Sequence, residues 1–203
     1  YWPDTLLAAT DLPTEDELAL LAPFRDQLPA ELFERPFRFP EAATNEAHRE
    51  TMLVARQLLH DAGWQVKDGV LRNQKGEALE IEFLTQSSED ARILLPYFKQ
   101  LEQLGITSNM RLAESSQYIN RLRQFDFDAV MKNQDILMPP VIELKSTYHS
   151  TTAFEPTSRN TAGISNPAID ALVTQTYEAV TLEQMVAACR ALDRVLLWQY
   201  YQI

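Results

Sequence analysis

The chain has 203 residues, of which 45% are hydrophobic and 23% charged, the balance of a globular protein with a sizeable core. Its 18 Lys and Arg against 29 Asp and Glu give a formal charge of -11, which disfavours binding to nucleic acid. No run of 18 apolar residues occurs, and the five glycines form neither a dinucleotide-binding fingerprint nor a P-loop. We therefore expect no membrane-spanning segment and neither of these two kinds of nucleotide enzyme.

Residues 1–44 are predicted to be an irregular first segment, because six of the eleven prolines lie within the first forty positions. Thr14 and Glu17 fit a capping box for a short helix that reaches about Phe24. The chain begins with Tyr1-Trp2-Pro3 instead of a start methionine, which suggests a piece of a longer protein. The lack of a leader sequence then says nothing about the compartment.

Residues 45–203 are predicted to form an α/β body. A helix is expected from Asn45 to about Ala62. The stretch from Gln65 to Thr85 is predicted to be a hairpin, because residues 79–83 alternate between apolar and polar and residues 73–76 are typical of a turn.

The next stretch predicts a parallel sheet. Ser87 or Ser88 should cap a helix that ends at Gly105. A strand over residues 107–112, a helix over 116–124 and a strand over 127–131 complete a β-α-β-α-β series. Such a series favours a layered α/β fold in which neighbouring strands are parallel.

The last third is predicted to be a long polar loop followed by helices. Residues 132–165 are rich in Pro, Ser, Thr and Asn, with one short helix near 141–146. Two helices are expected to close the chain, over about 167–180 and from about Leu182 onward. Thr181 and Gln184 form a second capping box at the start of the last helix.

Three residues raise the question of catalysis. Asp126 and Asp128 are two apart, so they would share one face of a strand, as the metal-bridging pair of a glycosyltransferase requires. They also fit the polar face of an ordinary strand. Cys189 lies in a helical stripe of apolar residues and is predicted to be a core residue; alone, it forms neither an internal disulfide nor a thiolate metal cluster. With three scattered histidines, the sequence predicts no metal site and no cofactor.

Two groups of residues are candidates for ligand binding. Tyr118 and Arg121 are three apart on one helix and could cradle a carboxylate, or could be ordinary surface residues. The loop residues Asn133, Gln134 and Asp135 follow the last predicted strand, where open α/β sheets bind their ligands. Their amides could pair with a peptide backbone, and Asp135 could bind an ammonium group. Polar residues are equally common in loops without such a role.

Short motifs follow one another in a characteristic order along nearly the whole chain. They are Ala22-Pro23-Phe24-Arg25, His60-Asp61-Ala62-Gly63-Trp64, Ser116-Gln117-Tyr118, Phe125-Asp126-Phe127-Asp128, Ser158-Arg159-Asn160, Asn166-Pro167-Ala168-Ile169-Asp170 and Ala191-Leu192-Asp193-Arg194-Val195-Leu196. Their order resembles the extracellular solute-binding proteins of peptide ABC transporters (family 5). The resemblance is nearest to the YejA-like branch, which is linked to oligopeptides and peptide conjugates.

The resemblance implies that residues 1–203 form a single C-terminal lobe of a type II periplasmic-binding-protein fold, with the N-terminal lobe absent. It implies a non-catalytic protein that closes on a peptide between two lobes and delivers it to the permease of an ABC importer. The implied location is the periplasm of a Gram-negative cell or the outer cell surface.

The family also suggests individual ligand residues. Arg121 falls near an arginine that lines the family's pocket, and Arg159 and Asn160 match a loop motif that binds ligand or only fixes the loop. Many members have Gly-Trp followed by an aspartate after the Phe-Asp strand. This chain has neither Gly nor Trp there, and Asp135 aligns with that aspartate only after a shift of about two positions.

Two other functions remain open from the sequence. One is a metal-dependent transferase that uses Asp126 and Asp128. The other is a scaffold that has lost ligand binding and acts as a sensory or docking domain, which predicts a flat or plugged face in place of a cleft.

Overall fold

The computed structural model describes residues 2–40, 44–132 and 143–201. The chain divides into two compact units, one of Tyr1–Arg38 with Gln134–Ile203 and the other of Phe39–Asn133. In chain order the helices and strands are α1 (Glu15–Leu21), α2 (Glu31–Glu34), α3 (Asn45–Asp61), β1 (Gln65–Lys67), β2 (Val70–Arg72), β3 (Glu80–Thr85), α4 (Ala91–Gln103), β4 (Thr107–Leu112), α5 (Ser115–Gln124), β5 (Ala129–Val130), α6 (Glu143–Tyr148), α7 (Pro167–Glu178) and α8 (Leu182–Trp198).

The unit formed by residues 39–133 contains a three-stranded parallel sheet in the order β4-β3-β5. Phe83 of β3 is level with Met110 of β4 and with Ala129 of β5. Strand β5 is shorter than the predicted 127–131. Before it begins, the carboxylate of Asp128 accepts a hydrogen bond from the backbone N–H of Glu82 at 2.9 Å, so a side chain takes the place of a ladder bond. The predicted α/β class, a sheet flanked by helices, is confirmed.

Helices cover both faces of this sheet because successive residues of β3 point in opposite directions. Phe83 packs in a cluster with side chains of α3 and α4, whereas Leu84 packs with Ala113 and with Tyr118 of α5. Both β3 residues are buried. The unit therefore has three layers, with the sheet in the middle.

The predicted hairpin over residues 65–85 is wrong in its pairing. The antiparallel hairpin consists of β1 and β2, joined by Asp68 and Gly69, both with positive φ. This two-residue Asp-Gly turn matches the twist of antiparallel strands. The residues at 73–76 do form a turn, but only one bridge, Arg72 to Ala78, follows it before the chain enters β3. Strand β3 then pairs in parallel, because both of its faces are apolar at Phe83 and Leu84.

Gly105 ends α4 as predicted, in the left-handed region at φ 82°. Its carbonyl accepts the N–H of Leu71 at 2.7 Å, and a Cβ at this position would lie 2.8 Å from the same nitrogen. Only glycine satisfies both the backbone conformation and the close approach.

The other unit is helical in its described part, and α8 forms the centre of its core. The capping box of Thr181 and Gln184 is confirmed at the start of α8. Helix α1 ends at Leu21, short of the predicted Phe24, and continues as a 3-10 turn, because Pro23 has no N–H to extend the α-helical ladder.

An ion pair ties the first segment of the chain to α8. Arg194 and Glu17 are each 1% exposed, and the Arg194 guanidinium donates to the Glu17 carboxylate at 2.9 Å. Arg194 also donates to the Asp11 carbonyl, and the buried Asp193 carboxylate accepts the N–H of Ala9 at 2.9 Å. Two adjacent charged residues of α8 thus hold a segment about 180 positions earlier in the chain.

Replacement of Glu17 by Gln should destabilise the protein, because the Arg194 charge would remain buried without its counterion. We expect a loss of about 3 kcal/mol in the free energy of unfolding, measured by urea denaturation. The exposed Glu15→Gln variant on the same helix is the control and should lose less than about 0.5 kcal/mol. Equal stabilities of the two variants would contradict the role assigned to the ion pair.

Candidate ligand-binding site

The topology of the parallel sheet indicates where a ligand would bind. From β3 the chain passes through α4 to β4 on one side, and from β4 through α5 to β5 on the other side of β3. The two connections therefore lead to opposite sides of β3, which makes the gap between β3 and β5 a topological switch point. The carboxyl ends of these two strands lie near Thr85 and Met131. Open α/β sheets bind ligands in the crevice outside such a switch point.

A polar cluster occupies the carboxyl end of β3. Thr85 is fully buried, and its hydroxyl accepts the N–H of Ser87 at 3.0 Å and contacts the Asp90 carboxylate by a short hydrogen bond. The Ser87 hydroxyl accepts the N–H of Glu89 at 3.2 Å, so Ser87 caps the short 3-10 turn that leads into α4, whereas the sequence predicts Ser87 or Ser88 as the cap of the helix itself. Asp90 is half-buried. Its two carboxylate oxygens can accept further hydrogen bonds.

Tyr118 lies at the same edge of the sheet. Its hydroxyl donates to the Met131 carbonyl at 2.8 Å and so fixes the carboxyl end of β5. Burial raises the pKa of Tyr118, and the negative charge of Asp90 raises it further. The phenol is therefore neutral at physiological pH and close enough to Asp90 to be affected by its charge.

Arg121 lies one turn further along α5 and makes different contacts. Its guanidinium donates to Glu82 at 2.7 Å and to Asp126 at 2.9 Å. Its hydrogen bond to Glu82, with that to Asp126, raises the pKa of Arg121. Tyr118 and Arg121 thus contact different groups, the Met131 carbonyl in one case and Glu82 and Asp126 in the other. Their role in binding a carboxylate stays a prediction.

Arg159 and Asn160 belong to the other unit. Asn160 is buried, and its side-chain amide both donates to the Ile164 carbonyl at 2.9 Å and accepts the Ile164 N–H at 2.8 Å. This pair of bonds closes the loop. Arg159 is exposed, and its backbone N–H donates to the Ser146 carbonyl at 3.2 Å. The contacts of Asn160 favour the loop-fixing role over ligand binding.

Asn133, Gln134 and Asp135 lie outside the described residues, so their predicted role stays a prediction. Thr85 and Asp90 lie at the same edge of the sheet and are not among the ligand residues that the sequence predicts. In the sequence, the polar run after β3 indicates only a helix cap. That run follows a strand in the same way as residues 133–135 follow β5, and the parallel pairing brings the two strand ends together.

Asp126 and Asp128 are held by contacts that leave the metal-bridging hypothesis without support. Asp126 accepts from Arg121, and Asp128 accepts the backbone N–H of Glu82. Across residues 2–40, 44–132 and 143–201, no group of three or more His, Cys, Asp or Glu side chains is arranged to hold a metal ion. Within the same ranges, no helix has the length and apolar character to span a membrane.

Comparison with known proteins identifies relatives over nearly the full chain. The probable peptide-binding protein YejA of Agrobacterium fabrum is 39% identical over 198 residues, which are 97% of this chain and 32% of that protein. The peptidoglycan-binding protein YepA of the same organism is 31% identical and aligns with 100% of this chain and 33% of its own length. No protein-family profile matches the chain.

A solved structure with the same fold is the oligopeptide-binding protein AppA of Bacillus subtilis, in complex with a nonapeptide. It has a TM-score of 0.65 and 17% identity, and the match covers 97% of this chain and 39% of AppA. The chain thus shares the fold of a part of AppA and spans about a third of the length of the curated relatives it matches. The predicted resemblance to these proteins, and to their YejA-like branch, is confirmed.

Cys189 is a core residue, as the helical stripe predicts, and should be inert. It is fully buried, and burial, with a contribution from Asp193, raises the pKa of its thiol to about 12. At pH 8 the folded protein should therefore react with a thiol reagent at least about a hundredfold more slowly than the urea-unfolded protein. The absorbance of the thiolate that the reagent releases gives the rate for each state of the protein. Equal rates in the folded and unfolded states would contradict the buried position of Cys189.

The effect of Asp90 on Tyr118 can be measured directly. Replacement of Asp90 by Asn should lower the pKa of Tyr118, although burial should still hold it above 10.0. Titration followed by NMR of tyrosine labelled at the ring carbon that bears the hydroxyl reports this value, with Tyr118→Phe to assign the signal. The matched variant Glu89→Gln, an exposed neighbour, should leave the Tyr118 pKa unchanged. An unchanged Tyr118 pKa in the Asp90→Asn variant would show that the charge of Asp90 does not act on Tyr118.

Proposed function

We propose that the complete protein carrying this chain is the substrate-binding component of an ABC importer. It captures oligopeptides or peptide conjugates between two lobes and delivers them to the membrane permease. The observation that carries the proposal is similarity, over nearly the whole of this chain, to parts of proteins named as peptide-binding and peptidoglycan-binding, on a fold shared with a nonapeptide-binding protein.

The chain would supply one of the two lobes, the C-terminal one, and the remaining lobe would close over the switch point of its sheet. Extended peptides bind such proteins largely through their main chain, so polar groups at strand ends are suitable partners. Tyr118 and the polar cluster at Thr85 lie at this edge, and residues Asn133, Gln134 and Asp135 follow β5 in the sequence. The proposed location is the periplasm or the outer cell surface.

We propose binding without catalysis. The relatives are named as binding proteins, and the two residues that suggested a transferase have structural partners in Arg121 and in the Glu82 amide. The holding of a ligand needs neither a nucleophile nor a metal ion. The proposed protein therefore binds and releases its cargo unchanged.

Titration calorimetry of the complete protein with a varied set of peptides tests the function. We expect at least one peptide to bind with a stoichiometry of one. The isolated 203-residue chain is the control and should bind the same peptide much more weakly, because the other lobe contributes about half of the contacts and the closure energy.

Two results would contradict the proposal. Absence of heat with every peptide would favour a sensory or docking scaffold. Submicromolar binding by the isolated chain would show that the second lobe is not needed.

A further inference from the structure

Strand β4 forms one end of the three-stranded sheet, and within residues 44–132 it pairs with β3 alone. The backbone N–H groups of Thr107 and of Ala113, which follows the strand, donate to carbonyls in or just before β3. Successive residues of a strand direct their backbone groups to opposite sides, so the alternate residues of β4 direct theirs away from the sheet. These outward residues are Ser108, Met110 and Leu112.

The outer edge of β4 lacks the features by which proteins usually keep one sheet edge from pairing with another. All the residues from Thr107 to Leu112 are in register with β3, and no bulge interrupts the ladder between them. The strand contains neither proline nor lysine. A straight edge of this kind is a template for a further strand.

A cavity of about 600 Å³ lies beside this strand. Helix α4 contributes Leu95 and Phe98 to its wall, and Ser108 lines it from β4. At the other end of the strand, the Leu112 side chain is 50% exposed. It projects from the same face of the sheet as Ser108, because the two residues are four apart. The edge therefore carries both an apolar-walled cavity and an exposed apolar side chain.

We propose that the outer edge of β4 is a self-association surface. On it, β4 of a second copy of the protein pairs antiparallel about a two-fold axis at Met110. Every outward residue then lies opposite an outward residue of the other copy, and each such pair exchanges two backbone hydrogen bonds. Leu112 of one copy lies opposite Ser108 of the other, so its side chain enters the cavity beside that serine.

Shape and charge both favour a second copy as the occupant. The cavity and the side chain that fits it lie on the same edge, so a two-fold contact uses each of them twice. In this register Arg111 lies opposite Asn109, whereas an axis at residue 111 would place two arginines opposite each other, which is destabilising. At the rim of the cavity α4 carries Lys99 and Glu102, whose opposite charges suit contact with the same helix of another copy.

Sedimentation equilibrium of the complete protein, without any ligand, tests the self-association. We expect a reversible dimer, with an average mass that rises toward twice that of the monomer between about 1 and 100 μM. Leu112→Lys should weaken the dimer about tenfold or more, because it would place a charge in the cavity of the other copy. The matched control is Leu58→Lys, at a leucine of α3 that is 65% exposed, and it should change the dimer affinity less than about twofold.

Cysteine cross-linking tests the register. The variants Asn109→Cys and Arg111→Cys are prepared separately, oxidised alone and oxidised as a mixture. In the mixture the two thiols are directly opposed, with Cα atoms about 4.5 Å apart, whereas two copies of one variant hold theirs about 7–8 Å apart on a diagonal. Only the shorter distance allows a disulfide, so the mixture should give a covalent dimer and each variant alone should give little. Cys189 is buried and should not contribute.

Three results would overturn the proposal. A complete protein that stays monomeric at about 100 μM would leave the edge to a different partner. A dimer that Leu112→Lys and Leu58→Lys weaken equally would lie on another surface. Cross-linking of either cysteine variant alone as efficiently as the mixture would exclude the register at Met110. None of these measurements uses a peptide, so they stand whether or not the proposed peptide-binding function is correct.

Discussion

The central position of β3 is the constraint on which the candidate site depends. Parallel pairing on both sides places the carboxyl ends of β3, β4 and β5 at one edge of the sheet, and each connection must return through a helix. Phe83 and Leu84 face opposite layers, so packing on either face fixes the position of Thr85. The polar groups at the end of β3 are thus held by the core beneath them.

Buried and half-buried charges have two different arrangements in this chain. Arg194 and Glu17 form a pair with good geometry, and Asp193 beside them accepts a backbone N–H. Such a pair holds two distant segments in one arrangement, since either charge alone would be strongly destabilising. Asp90 has no such partner among the described residues, and its neighbour Tyr118 is a neutral phenol. The first arrangement joins segments that are distant in sequence, and the second stays within residues 85–90.

Local signals predicted most elements because they act over a few residues. The capping box of Thr181 and Gln184 and the glycine at 105 set helix ends that the structure confirms. The hairpin failed because its correct signal, Asp68-Gly69, competed with an equally plausible turn at 73–76. What decided the pairing of β3 was burial of both its faces, which depends on α4 and α5 and is not a local property. The proximity of Asp90 to Tyr118 is likewise not a local property, since the two residues are distant in sequence.

The motifs that carry the family resemblance are largely structural. Asn160 closes its own loop, and Asp193 and Arg194 bind the first segment of the chain. Likewise, Asp126 holds Arg121. Motifs of this kind preserve a fold while the ligand changes, since their side chains are already occupied within the protein.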